Sequence, residues 1–145
     1  MSQPILKREN IRLNRVLNTK EEAIRQTGSI LVEQGYVNSE YIEKMLEREQ
    51  LTSTYMGNYI AIPHGTDDSK DFVKESGISV IQVPDGVDFG DGNTVKILIG
   101  IAGKNNEHLD ILSNIAIVCS EEENVEKLIQ ATTPEEMIAI FEGVN

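Results

Sequence analysis

The chain has 145 residues, with 13 Lys and Arg against 24 Asp and Glu, for a formal net charge of −11. That length suits one domain whose core needs no disulfide or metal staple, and the charge excludes the basic footprint that marks a nucleic-acid-binding surface. The single cysteine, Cys119, rules out an internal disulfide; with no secretory apolar segment at the N-terminus and no apolar run near the ~20 residues that span a bilayer, a soluble cytoplasmic protein is expected.

In chain order, Ile11 and Leu13 flank Arg12 as a short edge strand. Thr19-Lys20-Glu21-Glu22 has the form of a capping box, followed by Ala23, Ile24, Thr27, Ile30 and Leu31 at helical spacing. A helix from about Lys20 to Gln34 follows, with Gly35 as its stop. Ser39 opens a second helix with the stripe Tyr41, Ile42, Met45 and Leu46; Arg48 continues one edge of it. Arg48 reads as a cation favoured by the helix C-terminus, as an ion pair with Glu47 or Glu49, or as a fork of donors for a phosphate.

Leu51 to Asn58 reads as a polar connection. Tyr59–Ile62 is a short strand leading through Pro63 to His64, Gly65 and Thr66. Proline biases the residue before it to extended backbone, and Gly65 lets backbone or a ligand approach the imidazole. Thr66-Asp67-Asp68-Ser69 starts a turn or short helix. Ile78–Val83 is a β-branched strand, Pro84-Asp85-Gly86 a turn, Val87–Phe89 a brief extended piece and Gly90–Asn93 another turn. Val95–Ala102 is almost entirely apolar, as a central strand covered on both faces would be. After a Gly103–Asn106 loop, a helix carries Leu109, Leu112, Ile115, Ala116 and Cys119 as its stripe. Ser120–Glu123 and Thr133–Glu136 have the form of two more capping boxes, the last with Pro134 at its first helical position.

Interleaved helices and strands predict a single α/β domain over residues 1–145, a sandwich with a mixed β-sheet and helices on both faces. No Cys/His/acid cluster has metal-ligand spacing, and no glycine-rich phosphate loop follows a strand. Two histidines remain: His64 after a strand and His108 in the first turn of a helix. Each is open to a quiet reading, His64 as a turn residue and His108 as the end of a core stripe. Each is also open to a chemical one, since a first helical turn offers N–H groups and positive dipole to an anion. Cys119 falls in the core stripe.

Arg48, the run Leu51–Gly57, Ile60-Ala61-Ile62-Pro63-His64-Gly65 and Asn105-Asn106-Glu107-His108-Leu109 together resemble the mannitol/fructose-type EIIA components of the bacterial phosphoenolpyruvate-dependent sugar phosphotransferase system. The resemblance runs from about Ile11 to Phe141, and the last segment is similar to the mannitol branch. It implies that His64 takes a phosphoryl group on Nε2 from phospho-HPr and passes it to a cysteine of the EIIB domain of a mannitol permease. It also implies that Arg48 and His108 line the site, with no metal, no cofactor and no insertion into the membrane. Asn58 stands where a glutamate can occur in the family, so an acid's role does not carry over; Asn58, Gly65 and Thr66 are expected to line the phosphate, with N–H groups near Gly65 as donors. A fructose-type EIIA, a regulatory EIIA-like module switched by His64 phosphorylation, and a helix-rich interaction domain with structural histidines are the competing readings. The acidic surface suits a basic partner as well as plain solubility.

Overall fold

The computed structural model describes residues 5–104 and 107–142, with the His108 side chain outside that set. Five strands form one sheet: β1 (Ile11–Arg12), β2 (Tyr55–Gly57), β3 (Ile60–Ala61), β4 (Gly77–Asp88) and β5 (Thr94–Ala102). Their order is β1-β4-β5-β3-β2. The β1/β4 and β3/β5 pairs are parallel, whereas β2/β3 and β4/β5 are antiparallel. The sheet is therefore mixed, as the short link between the two long strands requires.

Alternation along the central strand divides the core into two layers. Leu98 and Ala102 face α1 (Lys20–Glu33) and α2 (Glu40–Leu51), packing among Ile24, Leu31, Tyr41 and Met45. Ile97, Ile99 and Ile101 face α3 (Glu107–Cys119), α4 (Glu122–Gln130) and α5 (Pro134–Glu142), packing with Ile115, Val118, Leu128 and Met137. This is the expected α/β sandwich, and β5 is its middle.

Two capping boxes form. Glu22 N–H donates to Thr19 Oγ1 at 3.0 Å, and Glu136 N–H donates to Thr133 Oγ1 at 3.2 Å with Pro134 opening α5. The third does not. The Ser120 hydroxyl turns back to donate to Ile117 O, and Glu121 is the N-cap of α4 without a side-chain bond.

Three other expectations are corrected. Pro84-Asp85-Gly86 is not a turn between strands; β4 runs through it, and a register shift between Gln82 and Val87 absorbs it. The polar connection before β3 contains strand β2, joined to β3 by a tight turn in which Asn58 and Tyr59 take φ of 52° and 68°. Positive φ at both central residues is the hairpin geometry that matches strand twist. The buried face of α3 is Ile111, Ile115, Val118 and Cys119, whereas Leu109 is 58% exposed and Ala116 is also exposed. The asparagines expected to cap α3, Asn105 and Asn106, lie outside the described residues.

Candidate functional site

Strand β3 lies beside β5, and its path continues past the paired residues. Ile101 N–H donates to Pro63 O at 2.9 Å, and His64 bridges to Ile101 in parallel. The sequence Ile62-Pro63-His64 thereby mounts a half-buried imidazole at the end of the central strand. His64 Nδ1 lies 2.8 Å from Ile62 O. A carbonyl only accepts, so Nδ1 carries the proton, and in the neutral ring the lone pair belongs to Nε2. That is the nitrogen a nucleophilic imidazole uses when its other nitrogen is held by a carbonyl.

Tyr41 fixes the next peptide. Its buried phenol donates to Ile101 O at 2.7 Å and accepts from Gly65 N–H at 2.9 Å. Both backbone polar groups of Ile101 thus hold the histidine loop. Desolvation pushes the Tyr41 phenol up to about 12, so it stays a donor at neutral pH. Burial pushes the Cys119 thiol up to about 12 as well. In the unfolded chain these groups ionise from 9.0 for the thiol and 10.0 for the phenol. Folded values above unfolded ones mean that the stabilisation is complete below the unfolded pKa values and is lost as the pH rises toward the folded ones. Melting temperature measured from neutral pH to about 11 should fall in this window, and the Tyr41→Phe variant should fall less steeply.

Gly65 has no room for a side chain: an added Cβ would lie 2.5 Å from Ser69 Oγ and 2.6 Å from Tyr41 Cε1. Thr66 caps a short 3-10 turn over Asp67–Phe72 and gives its hydroxyl to Asp68. That hydroxyl, with Lys44 nearby, holds the Asp68 carboxyl below its usual range.

A cleft of about 310 Å³ opens here, lined by His64, Gly65, Thr66, Arg48, Lys70 and Leu109 among others. The structure thus brings Arg48, His64, Gly65 and Thr66 together. Arg48 comes from the last turn of α2, where its Nη1 donates to Thr52 O at 2.8 Å, so the guanidinium closes the helix end and borders the cleft at once. His108 is the second residue of α3; its side chain is outside the described set, but Leu109 and Leu112 from the same end of that helix line the cleft.

Two expectations fail on geometry. Asn58 is not among the cleft residues: it sits in the β2–β3 turn and donates to Cys119 O at 3.2 Å, at the far end of α3 from His108. Gly65 N–H is committed to Tyr41 rather than presented to an anion. From sequence, no part in this region fell to Tyr41 and Lys70, which line the cleft, or to Glu49, which accepts from Thr54 N–H. Tyr41 looked like core, and its hydroxyl gave no periodic signal. Lys70 lay in an unassigned turn. Glu49 was read only as a surface ion partner; a carboxylate in the last turn of a helix, against the dipole, was the available clue. Among the described residues, no group of three or more His, Cys, Asp or Glu is arranged to hold a metal, and no helix is long and apolar enough to cross a membrane.

Comparison with known proteins bears on this arrangement. Residues 4–144 match the family described as phosphoenolpyruvate-dependent sugar phosphotransferase system, EIIA 2. The mannitol-specific phosphotransferase enzyme IIA component of Geobacillus stearothermophilus is 70% identical over 145 residues, covering 100% of both chains. The protein of the same name from Bacillus subtilis (strain 168) is 61% identical, covering 97% of this chain and 99% of its own. Among solved structures, the complex of enzyme IIAMTL and phosphorylated enzyme IIBMTL from Escherichia coli aligns with a TM-score of 0.90 and 42% identity, over 95% of this chain and 97% of that one.

Proposed function

The chain belongs to the EIIA 2 family of the phosphoenolpyruvate-dependent sugar phosphotransferase system, and from that premise we propose that it is the mannitol-type phosphoryl carrier, with His64 as the acceptor. The observation that carries the assignment is the 2.8 Å contact of His64 Nδ1 with Ile62 O, which puts the lone pair on Nε2 in a cleft shared with Arg48. In the first step Nε2 attacks the phosphorus of phospho-HPr. The P–Nε2 bond forms as the bond from phosphorus to the donor breaks and its electron pair returns to the donor, and the proton stays on Nδ1, donated to the Ile62 carbonyl. In the second step a cysteine thiolate of EIIB attacks the same phosphorus, and the imidazole leaves with its lone pair. Water and metal ions take no part in this balance.

Phosphoryl transfer asks the protein mainly for position and charge. The group brings about −1.5 to −2 charge to a protein already at −11, so nearby cations matter. Arg48 from α2 and Lys70 from the 3-10 turn supply them, and the family resemblance assigns His108, the second residue of α3, as a hydrogen-bond donor. The exposed Leu109 beside the cleft and Leu51 beyond Arg48 provide an apolar rim, which the donor and the acceptor use in turn in the cytoplasm. A mannitol EIIB is the acceptor that fits, given the mannitol-specific relatives.

The test is incubation with phosphoenolpyruvate, enzyme I and HPr, followed by intact mass and phosphohistidine mapping. One acid-labile phosphate at His64 is the expected result. No phosphate on this chain while HPr becomes phosphorylated would overturn the reading. Within it, Arg48→Ala should slow transfer by about 10²-fold, the scale for losing a charged donor to the reacting group. Its cost in stability should be only about 1 kcal/mol, that of the bond to Thr52 O. Comparing transfer rate with melting temperature separates the two.

A further inference from the structure

We infer that Glu49 is a positioning residue for the His64 imidazole, acting through Thr54 and Ile62; the inference rests on the carrier reading above. Glu49 is in the last turn of α2 and only 5% exposed. A carboxylate there opposes the helix dipole and is costly to bury unless it is bonded. It is bonded fully, and almost entirely to one residue. Its two oxygens accept from Thr54 N–H at 3.1 and 3.0 Å, Oε1 also accepts from the Thr54 hydroxyl, and Oε2 pairs with Lys20 Nζ at 3.2 Å.

Thr54 is itself buried and hands the constraint on. Its carbonyl accepts from Ile62 N–H at 3.1 Å, and the Ile62 carbonyl accepts from His64 Nδ1 at 2.8 Å. The path is therefore Lys20, Glu49, Thr54, Ile62, His64. The N–H and the C=O of Thr54 belong to different peptide units, as do those of Ile62, so what passes along is position rather than charge. The same carboxylate sits one residue from Arg48, whose guanidinium holds Thr52 O. Glu49 therefore anchors the short connection from which both the carbonyl that sets the tautomer and the cation of the cleft take their place.

This predicts an effect on chemistry that exceeds the effect on folding. Glu49→Gln keeps the shape but puts N–H donors where Thr54 N–H or Lys20 Nζ needs an acceptor. Thr54→Val removes only the hydroxyl contact at nearly constant volume and serves should the first variant not fold. The measurements are ring ¹⁵N shifts of His64 in the unphosphorylated protein, which report the Nδ1–H against the Nε2–H tautomer, and initial rates of acceptance from phospho-HPr. Glu49→Gln should populate the Nε2–H form and lower kcat by about tenfold, the scale of a small misplacement of a reacting group, with KM for phospho-HPr unchanged. Thr54→Val should move both in the same direction by less. Folded variants with the wild-type tautomer and kcat, even at a lower melting temperature, would overturn the assignment. If the wild-type protein takes no phosphate, the carrier reading fails and so does the catalytic consequence, while the ring shifts still decide whether Glu49 orients the imidazole.

Discussion

His64→Ala should abolish phosphoryl acceptance altogether while leaving the sheet and both helical layers in place. The lost side chain is half-buried and gives up its hydrogen bond to the Ile62 carbonyl, a loss of about 1 kcal/mol for that bond. The functional loss is expected to be complete because, among the described residues of the cleft, no other imidazole is held by a carbonyl on its opposite edge: Arg48 and Lys70 are cations, and Cys119 is a buried thiol held protonated at the far end of α3. Intact mass after incubation with the phosphorylating system reads this directly. Acid-labile phosphate on the His64→Ala protein would move the acceptor elsewhere, His108 first.

Gly65→Ala should be nearly as damaging, through a different cause. Gly65 shows no positive φ, so the obstacle is space. The new Cβ would lie 2.5 Å from Ser69 Oγ and 2.6 Å from the Tyr41 ring, distances at which something must move. Ser69 is tied to Thr66 O, and Tyr41 is held by its two hydrogen bonds to Gly65 and Ile101. Relief therefore displaces the loop itself. An overpacked site of this kind costs about 1–3 kcal/mol, and transfer should fall by about 10²-fold because the imidazole moves with the loop. Adding Tyr41→Phe to Gly65→Ala would not restore the rate, since the ring carbon that clashes remains. A Gly65→Ala protein with normal transfer and melting temperature would refute the account of how the loop is held.

Much of this was legible in the residues. The apolar run Val95–Ala102 announced the central strand because burial on both faces removes the polar alternation. Thr19 and Thr133 announced helix starts because each hydroxyl accepts from the N–H three residues on, whatever the tertiary context. Ser120 carried the same pattern and did not cap, because its hydroxyl found the carbonyl of the preceding helix first. Pro84-Asp85-Gly86 has turn chemistry, yet β4 continues through it; the pairing of Val87 with Val95 beyond the bulge outweighs the local preference. On α3, periodicity placed Leu109 in the core, whereas the helix rotates Ile111 and Val118 inward and leaves Leu109 beside the cleft. His64, Arg48, Gly65 and Thr66, named through the ordered motifs of the resemblance, line one cleft. Tyr41 and Glu49 could not be named that way, since their roles lie in which backbone groups they meet, and those partners are distant in the chain or hidden in a loop that reads as merely polar. Asn58 shows the converse: the resemblance put it at the phosphate, whereas the turn it occupies directs its amide to Cys119 O, away from the cleft.

The attachment of the histidine loop to Ile101 has a consequence for how the molecule fails. Ile101 is fully buried in the middle strand of the sheet; its N–H donates to Pro63 O and its C=O accepts from the Tyr41 phenol that holds Gly65. Residues with such connections open only when the whole domain opens. The His64 imidazole therefore has no soft hinge of its own, and heat has no route by which to displace it while sparing the scaffold. The carrier is an all-or-nothing component, whose share of competent molecules equals its share of folded ones.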